Sequence, residues 1–354
     1  MVFICDNVKK RVPGSSMYTV YTDDDGNTTG EDFKGENLIT GTIKGVAENR
    51  TPTVYFLSGH GEKSLDSYTK FTTNLTNYNY AAKELNLSET DSVPDDAALV
   101  LVAAPSKDIT DAEAEKLNAY LDNGGNISLL MSPNGGAFAY TNLESIMKDY
   151  GFYMDYDRVS ETNSNYHISG DKYTIQCELN ELDDDSEATD LTSSLLNQGL
   201  YTFMPESRSF RYNDEGGKYT IAPLITTYDS AEGEPYGGVS DDPEKQSGQM
   251  LLAADSTSIA RNDSKMVVFG NAEFIDDEHV SDDTVIVPVY LFLSTISWMY
   301  DSDIDMEIST KSTTNDYISL QDAGFAKGLM VVLTVIPVAI MAAGIGIWIK
   351  RRNS

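Results

Sequence analysis

Polar residues stand directly after four short apolar runs of the sequence. His60 and Glu62 follow the run at 53–57, and an imidazole beside a carboxylate can act as a general acid–base pair. If each run is a strand of one parallel sheet, these residues share the carboxyl edge, where ligands of open α/β sheets bind. The sequence therefore predicts a candidate ligand rim, called the rim below. The rim consists of Ser58, His60, Glu62, Ser106, Lys107, Ser132, Asn134, Asn271 and Glu273.

Sequence signatures of catalysis do not accompany the rim. The sequence contains no G-x-S-x-G motif, and neither Cys5 nor Cys177 follows a buried strand as a nucleophile at a strand-to-helix turn does. Gly59-x-Gly61 lacks the third glycine of a dinucleotide-binding turn. We therefore predict a non-enzymatic protein with no cofactor.

The histidines indicate structure rather than metal binding. His60, His167 and His279 have no metal-ligand spacing, so no metal site is predicted. We expect His60, in its glycine-flanked turn, to satisfy backbone groups. Gly59 and Gly61 are expected to adopt backbone angles that other residues avoid.

Composition narrows the class of protein. The chain has 354 residues, of which 40% are hydrophobic, enough to form a folded core. Its formal net charge of −31 would repel nucleic-acid phosphates, so a nucleic-acid partner is excluded. Two cysteines are too few for a disulfide scaffold.

Strand and helix patterns alternate from residue 51 to residue 150. Thr110 with Glu113 and Thr141 with Glu144 have the spacing of capping boxes at helix starts. Such alternation predicts a three-layer α/β domain on a parallel sheet, of flavodoxin-like type. The predicted strands are 53–57, 80–87, 98–104 and 127–131.

The rest of the chain divides into further segments. Residues 1–50 are polar and loop-rich, with one strand expected near Tyr18. Residues 151–265 are β-rich with acidic loops, which predicts an insertion into the α/β domain. Residues 266–300 are predicted to add its last strand and helix, and residues 301–327 to form a polar stalk.

Residues 328–349 are predicted to form a transmembrane helix, because they carry no charge and are long enough for the hydrocarbon core. Lys350, Arg351 and Arg352 follow directly, so the positive-inside rule places the tail, 350–354, in the cytoplasm. The bulk of the chain would then lie outside the cell membrane, with lipid contacting the helix. The first residues have no apolar region of signal-peptide length. Either the domain is cytoplasmic and tail-anchored, or the chain continues a longer protein.

Four segments resemble the GldG-type (gliding-motility-type) family of ABC transporter auxiliary proteins. They are VYFLSGHGE at Val54–Glu62, the stretch Ala98–Pro133, VVFGNAEFIDD at Val267–Asp277, and Ile336–Arg352, in matching order. The resemblance implies an extracytoplasmic α/β domain related to the class I glutamine amidotransferase fold, held by a final membrane helix. It also implies an ABC permease and its ATPase as partners. Family members begin with a membrane helix or fused permease, which implies that residues 1–50 continue a longer chain.

Two other function classes stay open at this point. A surface hydrolase or amidotransferase would use the rim around His60, Glu62 and Ser106, although the nucleophilic cysteine of amidotransferases has no counterpart here. A surface-binding module would use the same edge without chemistry. No Walker motif is present, so energy for transport would come from a partner ATPase.

Overall fold

The protein is described from a computed structural model, and its chain divides into two units. The first comprises residues 1–19 and 33–311, and the second comprises residues 20–32 and 312–354. The structure describes residues 1–6, 8–22, 28–49, 51–182, 188–197, 202–213, 217–238, 246–280, 286–300, 311–312, 348 and 351–352.

The elements are numbered in chain order. The helices are α1 (Gly35–Glu48), α2 (Thr69–Asn77), α3 (Asp111–Asp122), α4 (Thr141–Lys148), α5 (Ser193–Asn197) and α6 (Ile286–Met299). The strands are β1 (Val2–Cys5), β2 (Val8–Arg11), β3 (Tyr18–Thr22), β4 (Thr28–Phe33), β5 (Thr53–Leu57), β6 (Ala81–Leu85), β7 (Ala97–Ala103), β8 (Ile127–Leu130), β9 (Phe152–Met154), β10 (Asp157–Glu161), β11 (His167–Ile168), β12 (Asp171–Leu179), β13 (Thr202–Met204), β14 (Phe210–Tyr212), β15 (Tyr219–Thr226), β16 (Ala231–Pro235), β17 (Gln246–Ser247), β18 (Leu251–Ser258), β19 (Ser264–Phe269) and β20 (Lys311–Ser312).

A parallel sheet in the order β6–β5–β7–β8–β19 forms the centre of the first unit. In chain order these five strands run 2-1-3-4-5, the order of flavodoxin-like sheets. The predicted parallel α/β sheet is therefore confirmed, including β19 as a further buried strand of it.

Antiparallel strands extend the same sheet beyond β19. They follow in the order β18, β15, β12 and β11, while β9, β13 and β14 pair off this path. The β-rich segment predicted at 151–265 is inserted between α4 and β19, and most of its strands continue the main sheet. Only β10, β16 and β17 form a separate small sheet among the strands described in this segment. The two ends of the main path are β6 and β11.

Alternation along the central strands buries both faces of the sheet. In β5, Val54 and Phe56 join the core on one face, and Tyr55 and Leu57 join the core on the other. Helices α2 and α6 pack on the first face, and α3 and α4 pack on the second. The three-layer arrangement predicted from the sequence is confirmed.

Helix starts follow the sequence in one case and not in another. Thr110 accepts a hydrogen bond from the Glu113 amide, and the Glu113 carboxylate accepts one from the Thr110 amide, so the first capping box is confirmed. The second prediction is wrong, because Tyr140 occupies the N-cap of α4 and makes no side-chain cap. The Glu144 carboxylate instead accepts a hydrogen bond from the Tyr156 hydroxyl.

The N-terminal segment differs from the loop-rich prediction. It contains the strand pair β1–β2 and the 14-residue helix α1, and the strand expected near Tyr18 is present as β3. A helix was missed here because α1 has no capping side chain and three glycines within its bounds: Gly35, Gly41 and Gly45.

The predicted membrane helix at 328–349 lies, apart from Trp348, outside the described residues, as does most of the predicted stalk at 301–327. No helix in the described ranges is both long enough and apolar enough to cross a membrane. In the second unit, the Arg352 guanidinium lies 5.3 Å from the centre of the Trp348 ring.

A carboxyl group is buried in the middle of the sheet. Asp255 lies in β18 between Ala222 of β15 and Val267 of β19, and it is 1% exposed. Its Oδ2 has no hydrogen-bond partner among the residues described. Burial raises the pKa of Asp255 well above 3.8, and the positive charge of Lys265 only partly opposes this. At pH values between 3.8 and the raised pKa, the folded protein therefore keeps a proton on Asp255 that the unfolded chain releases.

Replacing Asp255 by asparagine is expected to stabilise the protein at neutral pH. A raised carboxyl pKa means that stability is lost as pH rises above 3.8, and an amide has no such loss. We expect Asp255→Asn to raise the melting temperature at pH 7 by at least about 2–4 °C, the equivalent of about 1 kcal/mol for a domain of this size. The gain should shrink as pH falls toward 3.8.

The measurement is thermal unfolding of both proteins from acid to neutral pH. Asp91→Asn, at an exposed position, is the matched control and should leave the melting curve unchanged. A lower melting temperature for Asp255→Asn at pH 7 would contradict the burial argument.

Candidate functional site

The candidate site lies where the sheet order reverses. The connection after β5 leads to β6 on one side, whereas the connection after β7 leads to β8 on the other. The loops at 58–64 and 104–110 therefore diverge above the carboxyl ends of β5 and β7. Such a divergence leaves a crevice in which open α/β proteins bind ligands. We call the place between these two loops the switch-point cleft.

The turn after β5 depends on its glycines. Gly59 has φ +112° and Gly61 has φ +88°, so the predicted left-handed backbone is confirmed at both positions. A Cβ at Gly61 would lie 1.8 Å from Oγ of Ser106 in the facing loop. Glycine is therefore required at residue 61 for close approach as well as for backbone angle.

The His60 side chain points into the cleft between two carboxylates. Its Nδ1 lies 3.3 Å from Oε1 of Glu62, and its Nε2 lies 3.0 Å from Oε2 of Glu113. All three side chains are at most 5% exposed. The expectation that the His60 ring bonds the backbone was wrong, since both ring nitrogens face acids. The sequence separation of His60 and Glu113 gave no sign of this contact.

These contacts favour the charged imidazolium. The hydrogen bond with Glu62 raises the pKa of His60 above 6.5, burial opposes the rise, and the hydrogen bond with Glu113 adds to it. For Glu113, burial alone would raise the pKa, but hydrogen bonds from Thr110 and His60 outweigh it and lower the pKa. Glu113 thus carries a negative charge in a capping box that also holds His60.

Backbone hydrogen bonds also join the two loops of the cleft. The His60 amide donates to Oε2 of Glu62 at 2.7 Å. The His60 carbonyl oxygen accepts hydrogen bonds from the Ser106 amide at 2.9 Å, the Ser106 hydroxyl at 3.1 Å and the Lys107 amide at 3.2 Å. The amides of His60, Ser106 and Lys107 are therefore bonded to the protein itself. The switch-point cleft is filled by its own side chains.

Ser58 lies in the first loop of the cleft, and the other rim residues lie in neighbouring loops. The Ser58 amide donates to the Leu85 carbonyl of β6, and Ser132 Oγ accepts from the Ala272 amide at 3.0 Å. Asn134 donates to the Tyr140 hydroxyl at 3.3 Å, and Asn271 donates to the Glu206 carbonyl. Glu273 begins a short helical turn after β19. The structure thus places Ser58, His60, Glu62, Ser106 and Lys107 in the two loops of the cleft, and Ser132, Asn134, Asn271 and Glu273 in the loops after β8 and β19.

One group of acids and a histidine has metal-ligand geometry. Ligand atoms of Asp276, Glu278 and His279 lie within 4.8 Å of one another. However, the Lys63 ammonium lies 2.6 Å from Oδ2 of Asp276, and Oδ1 accepts from Nδ1 of His279. A cation at this position would meet the lysine charge, so the cluster is better explained as a charged loop contact.

Cysteine chemistry is disfavoured at Cys177. This residue lies inside β12 and is 4% exposed, and burial raises the pKa of its thiol above the ordinary value. A catalytic thiol needs the opposite shift and an exposed turn.

Sequence reasoning missed one charged residue near the rim. Arg208 lies in the extended stretch between β13 and β14, far from any predicted strand edge in sequence, and it is fully buried. Its Nη2 donates to the Ser132 carbonyl at 2.9 Å. Nothing in the local pattern marks a buried arginine, because the contact depends on the extension of the sheet.

A family model of ABC transporter auxiliary proteins, described as "ABC-type uncharacterized transport system", matches residues 51–293. The chain belongs to this family. The match spans β5 to most of α6 and so includes the switch-point cleft and the antiparallel extension. The protein is accordingly an auxiliary component of an ABC-type transport system. No curated protein matches the chain significantly.

A solved structure supports the fold of this ABC transporter auxiliary domain. The mmIFT52 N-terminal domain matches with a TM-score of 0.53 and 17% identity, over 71% of this chain and 99% of that one. At this identity the similarity concerns fold alone. A ThuA-like protein from Bacteroides uniformis (TM-score 0.38, 15% identity, 71% and 92% covered) and a GMP synthase-type protein from Thermoplasma acidophilum (0.34, 7%, 71% and 96%) align more loosely. The flavodoxin-like order therefore rests on the sheet itself.

Substitution of Gly61 in the auxiliary domain should show how closely the loops after β5 and β7 approach each other. Gly170 has the same φ of +88°, but a Cβ placed there would have no neighbouring atom within 4 Å, so this position isolates the backbone cost. We expect Gly170→Ala to cost about 1–2 kcal/mol. Gly61→Ala should cost about 1–3 kcal/mol more, because the methyl group meets Ser106. Urea unfolding of both variants measures the difference, and equal losses would show that Ser106 simply turns aside.

Stability should depend on pH through His60. Because its pKa is raised above 6.5 on folding, its contribution is complete below pH 6.5 and is lost as pH rises through the raised value. We expect His60→Gln to lower stability by roughly 1–3 kcal/mol at pH 6, since two buried carboxylates lose a partner. The same variant should flatten the decline above pH 6.5.

The measurement is the free energy of unfolding from about pH 5 to about pH 9, a range that brackets the histidine titration. His167→Gln changes a histidine in the short edge strand and serves as the control that keeps the wild-type slope. A wild-type curve with no decline above pH 6.5, or one that His60→Gln leaves unaltered, would contradict the assignment.

Proposed function

We propose that this protein is a non-enzymatic, membrane-anchored auxiliary subunit of an ABC-type export or gliding-type system. Its α/β domain lies outside the cell, and a C-terminal helix anchors it in the membrane. Its direct partners are an ABC permease and the ATPase that drives it. The proposal refines the family assignment, which gives only the auxiliary role in ABC-type transport.

The filled switch-point cleft is the observation that carries the non-enzymatic part. Enzymes on open α/β sheets keep reactive groups accessible at this edge. Here both His60 nitrogens face carboxylates, and the Ser106 hydroxyl donates to the His60 carbonyl. A general base needs a free ring nitrogen within reach of a substrate, and a serine nucleophile needs a base as its acceptor. Neither condition is met, which disfavours the hydrolase or amidotransferase alternative.

Sequence supports the anchor and the orientation. Residues 328–349 carry no charge and are followed by Lys350, Arg351 and Arg352, a pattern that favours a single span with a cytoplasmic tail. The large negative charge of the chain disfavours direct association of its domain with anionic lipid. In this arrangement the helix contacts lipid and the domain stands clear of the membrane surface.

The GldG-type subtype is supported by the order of the resembling segments. Val54–Glu62 forms β5 and the His60 turn, and Ala98–Pro133 covers β7, α3 and β8. The segment Val267–Asp277 supplies the end of β19 and the loop that contacts Ser132. These three segments meet at one edge of the sheet. A shared edge at which His60, Glu62 and Ser106 are bonded to one another fits a protein that positions partners.

The proposal predicts co-purification with transport machinery. The full-length chain, tagged and extracted from its own cells in mild detergent, is expected to bring down one ABC permease and one ATPase. A variant that ends at Lys327 should lose the membrane fraction and most of both partners, because the anchor would be gone. Mass spectrometry of the purified complex is the measurement.

Two controls separate misfolding from lost association. Gly170→Ala, at an exposed turn of the same domain, should retain both partners. Protease added to intact cells should digest the domain of the full-length protein. Protection of the domain would contradict the orientation, and purification without any ABC component would contradict the proposed function.

A further inference from the structure

Arg208 occupies the carboxyl edge of the sheet beside the rim. Its amide donates to the Gly270 carbonyl after β19 at 3.0 Å, and its Nη2 donates to the Ser132 carbonyl after β8 at 2.9 Å. The amide contact fixes the Arg208 backbone at the end of β19, and the Nη2 contact places the guanidinium at the end of β8. The residue is 0% exposed, so its charge is wholly removed from solvent.

Most hydrogen-bonding capacity of this guanidinium is unused. Arginine has five N–H donors, and Nε and Nη1 of Arg208 have no partner among the residues described. The carboxylates of Asp157 and Glu144 act on it only through space. Asp157 instead accepts from the Ser209 amide and hydroxyl, and Glu144 accepts from the Tyr156 hydroxyl. A buried cation without a bonded anion is costly, so the arrangement favours an anionic partner.

Two aromatic rings flank the guanidinium. Its central carbon lies 5.7 Å from the centre of the Tyr140 ring and 5.5 Å from that of Tyr156. The Tyr140 hydroxyl is committed to the Pro105 carbonyl at 2.6 Å, and the Tyr156 hydroxyl to Glu144. The rings therefore provide walls that stabilise the cation but supply no acceptor to its nitrogens.

Glycine-rich turns pack over these tyrosines. A Cβ at Gly237 would lie 2.0 Å from the Asn134 carbonyl oxygen, and the Gly238 amide donates to the Gly136 carbonyl at 3.0 Å. Asn134 reaches the Tyr140 hydroxyl, and a Cβ at Gly238 would touch the Tyr156 ring. These turns, which are partly exposed, thus pack against the two tyrosines that flank Arg208.

We propose that Arg208 binds a small oxyanion, a carboxylate or phosphate group, at the carboxyl edge of β8 and β19 beside the two flanking tyrosines. The guanidinium donates to the anion oxygens, the chemistry for which arginine is preferred over lysine. The site lies at the edge where α/β proteins bind ligands, and it is separate from the filled cleft around His60. It goes beyond the auxiliary role, and its test does not depend on the transport partners.

The test is calorimetric titration of the full-length protein in detergent with inorganic phosphate and, separately, acetate. Sodium chloride at equal ionic strength is the reference. We expect saturable binding of at least one oxyanion, together with a rise in melting temperature, because a ligand that binds only the folded state stabilises it. Phosphate and acetate decide between the two oxyanion classes.

Variants assign the binding to one arginine. Arg208→Lys keeps a positive charge but loses the planar array of donors, so affinity should fall by at least about tenfold. Arg261→Lys is the control, since Arg261 is an arginine already paired with Asp122 and Asp149, and it should bind like the wild type.

A readout from the wild type alone covers the case in which Arg208→Lys does not fold. A buried guanidinium gives a slowly exchanging Nε–H signal in nuclear magnetic resonance, and that signal should shift as the oxyanion binds. No saturable binding up to about 10 mM of either oxyanion would overturn the proposal. Equal affinity in Arg208→Lys and the wild type would overturn it as well.

Discussion

The carboxylate of Glu113 holds the centre of the α/β domain in place. Its Oε2 accepts hydrogen bonds from the Thr110 amide at 2.9 Å, the Thr110 hydroxyl at 2.7 Å and the His60 ring at 3.0 Å. One charged group thus starts α3 and fixes the turn after β5. Charge-assisted hydrogen bonds of this kind are about twice as strong as neutral ones. The loops after β5 and β7 cannot separate without breaking the bond between His60 and Glu113, so the carboxylate that caps α3 also joins the two loops.

Buried charge is distributed unequally over this domain. Around His60, two carboxylates face one imidazole, and the group is satisfied by short-range contacts. Arg208 and Asp255 are equally buried but lack bonded counter-charges among the described residues. Buried charges with hydrogen-bonded partners make a structure more rigid, while buried charges without partners lower its stability. An unpaired buried charge is therefore retained where it serves a role other than stability. For Arg208 that role is binding of the proposed oxyanion. Nothing in the structure explains why the carboxyl group of Asp255 is buried.

Local sequence predicted the central sheet because its strands are buried on both faces. The runs that form β5, β7, β8 and β19 are largely apolar, a pattern typical of parallel strands under two helix layers. The Thr110 cap was predictable for a similar reason, since all its atoms lie within four residues of one another. Positive φ at Gly59 and Gly61 followed from the turn alone.

Contacts between distant residues were not predictable in the same way, because Glu113 and Arg208 gain their roles from partners that only the folded sheet brings near. Thr141 and Glu144 have the spacing of a capping box, but Tyr140 is the N-cap residue of α4. The Tyr140 amide donates to the Tyr156 hydroxyl.

The two end strands of the main sheet path limit edge-to-edge association between copies of the domain. An exposed strand edge can recruit a second sheet, and charged or very short edge strands prevent this. On the path through the described strands, β6 exposes Lys83 and Glu84, and β11 is only two residues long. Neighbouring copies brought together at high surface density would therefore find no long apolar edge to join along that described path.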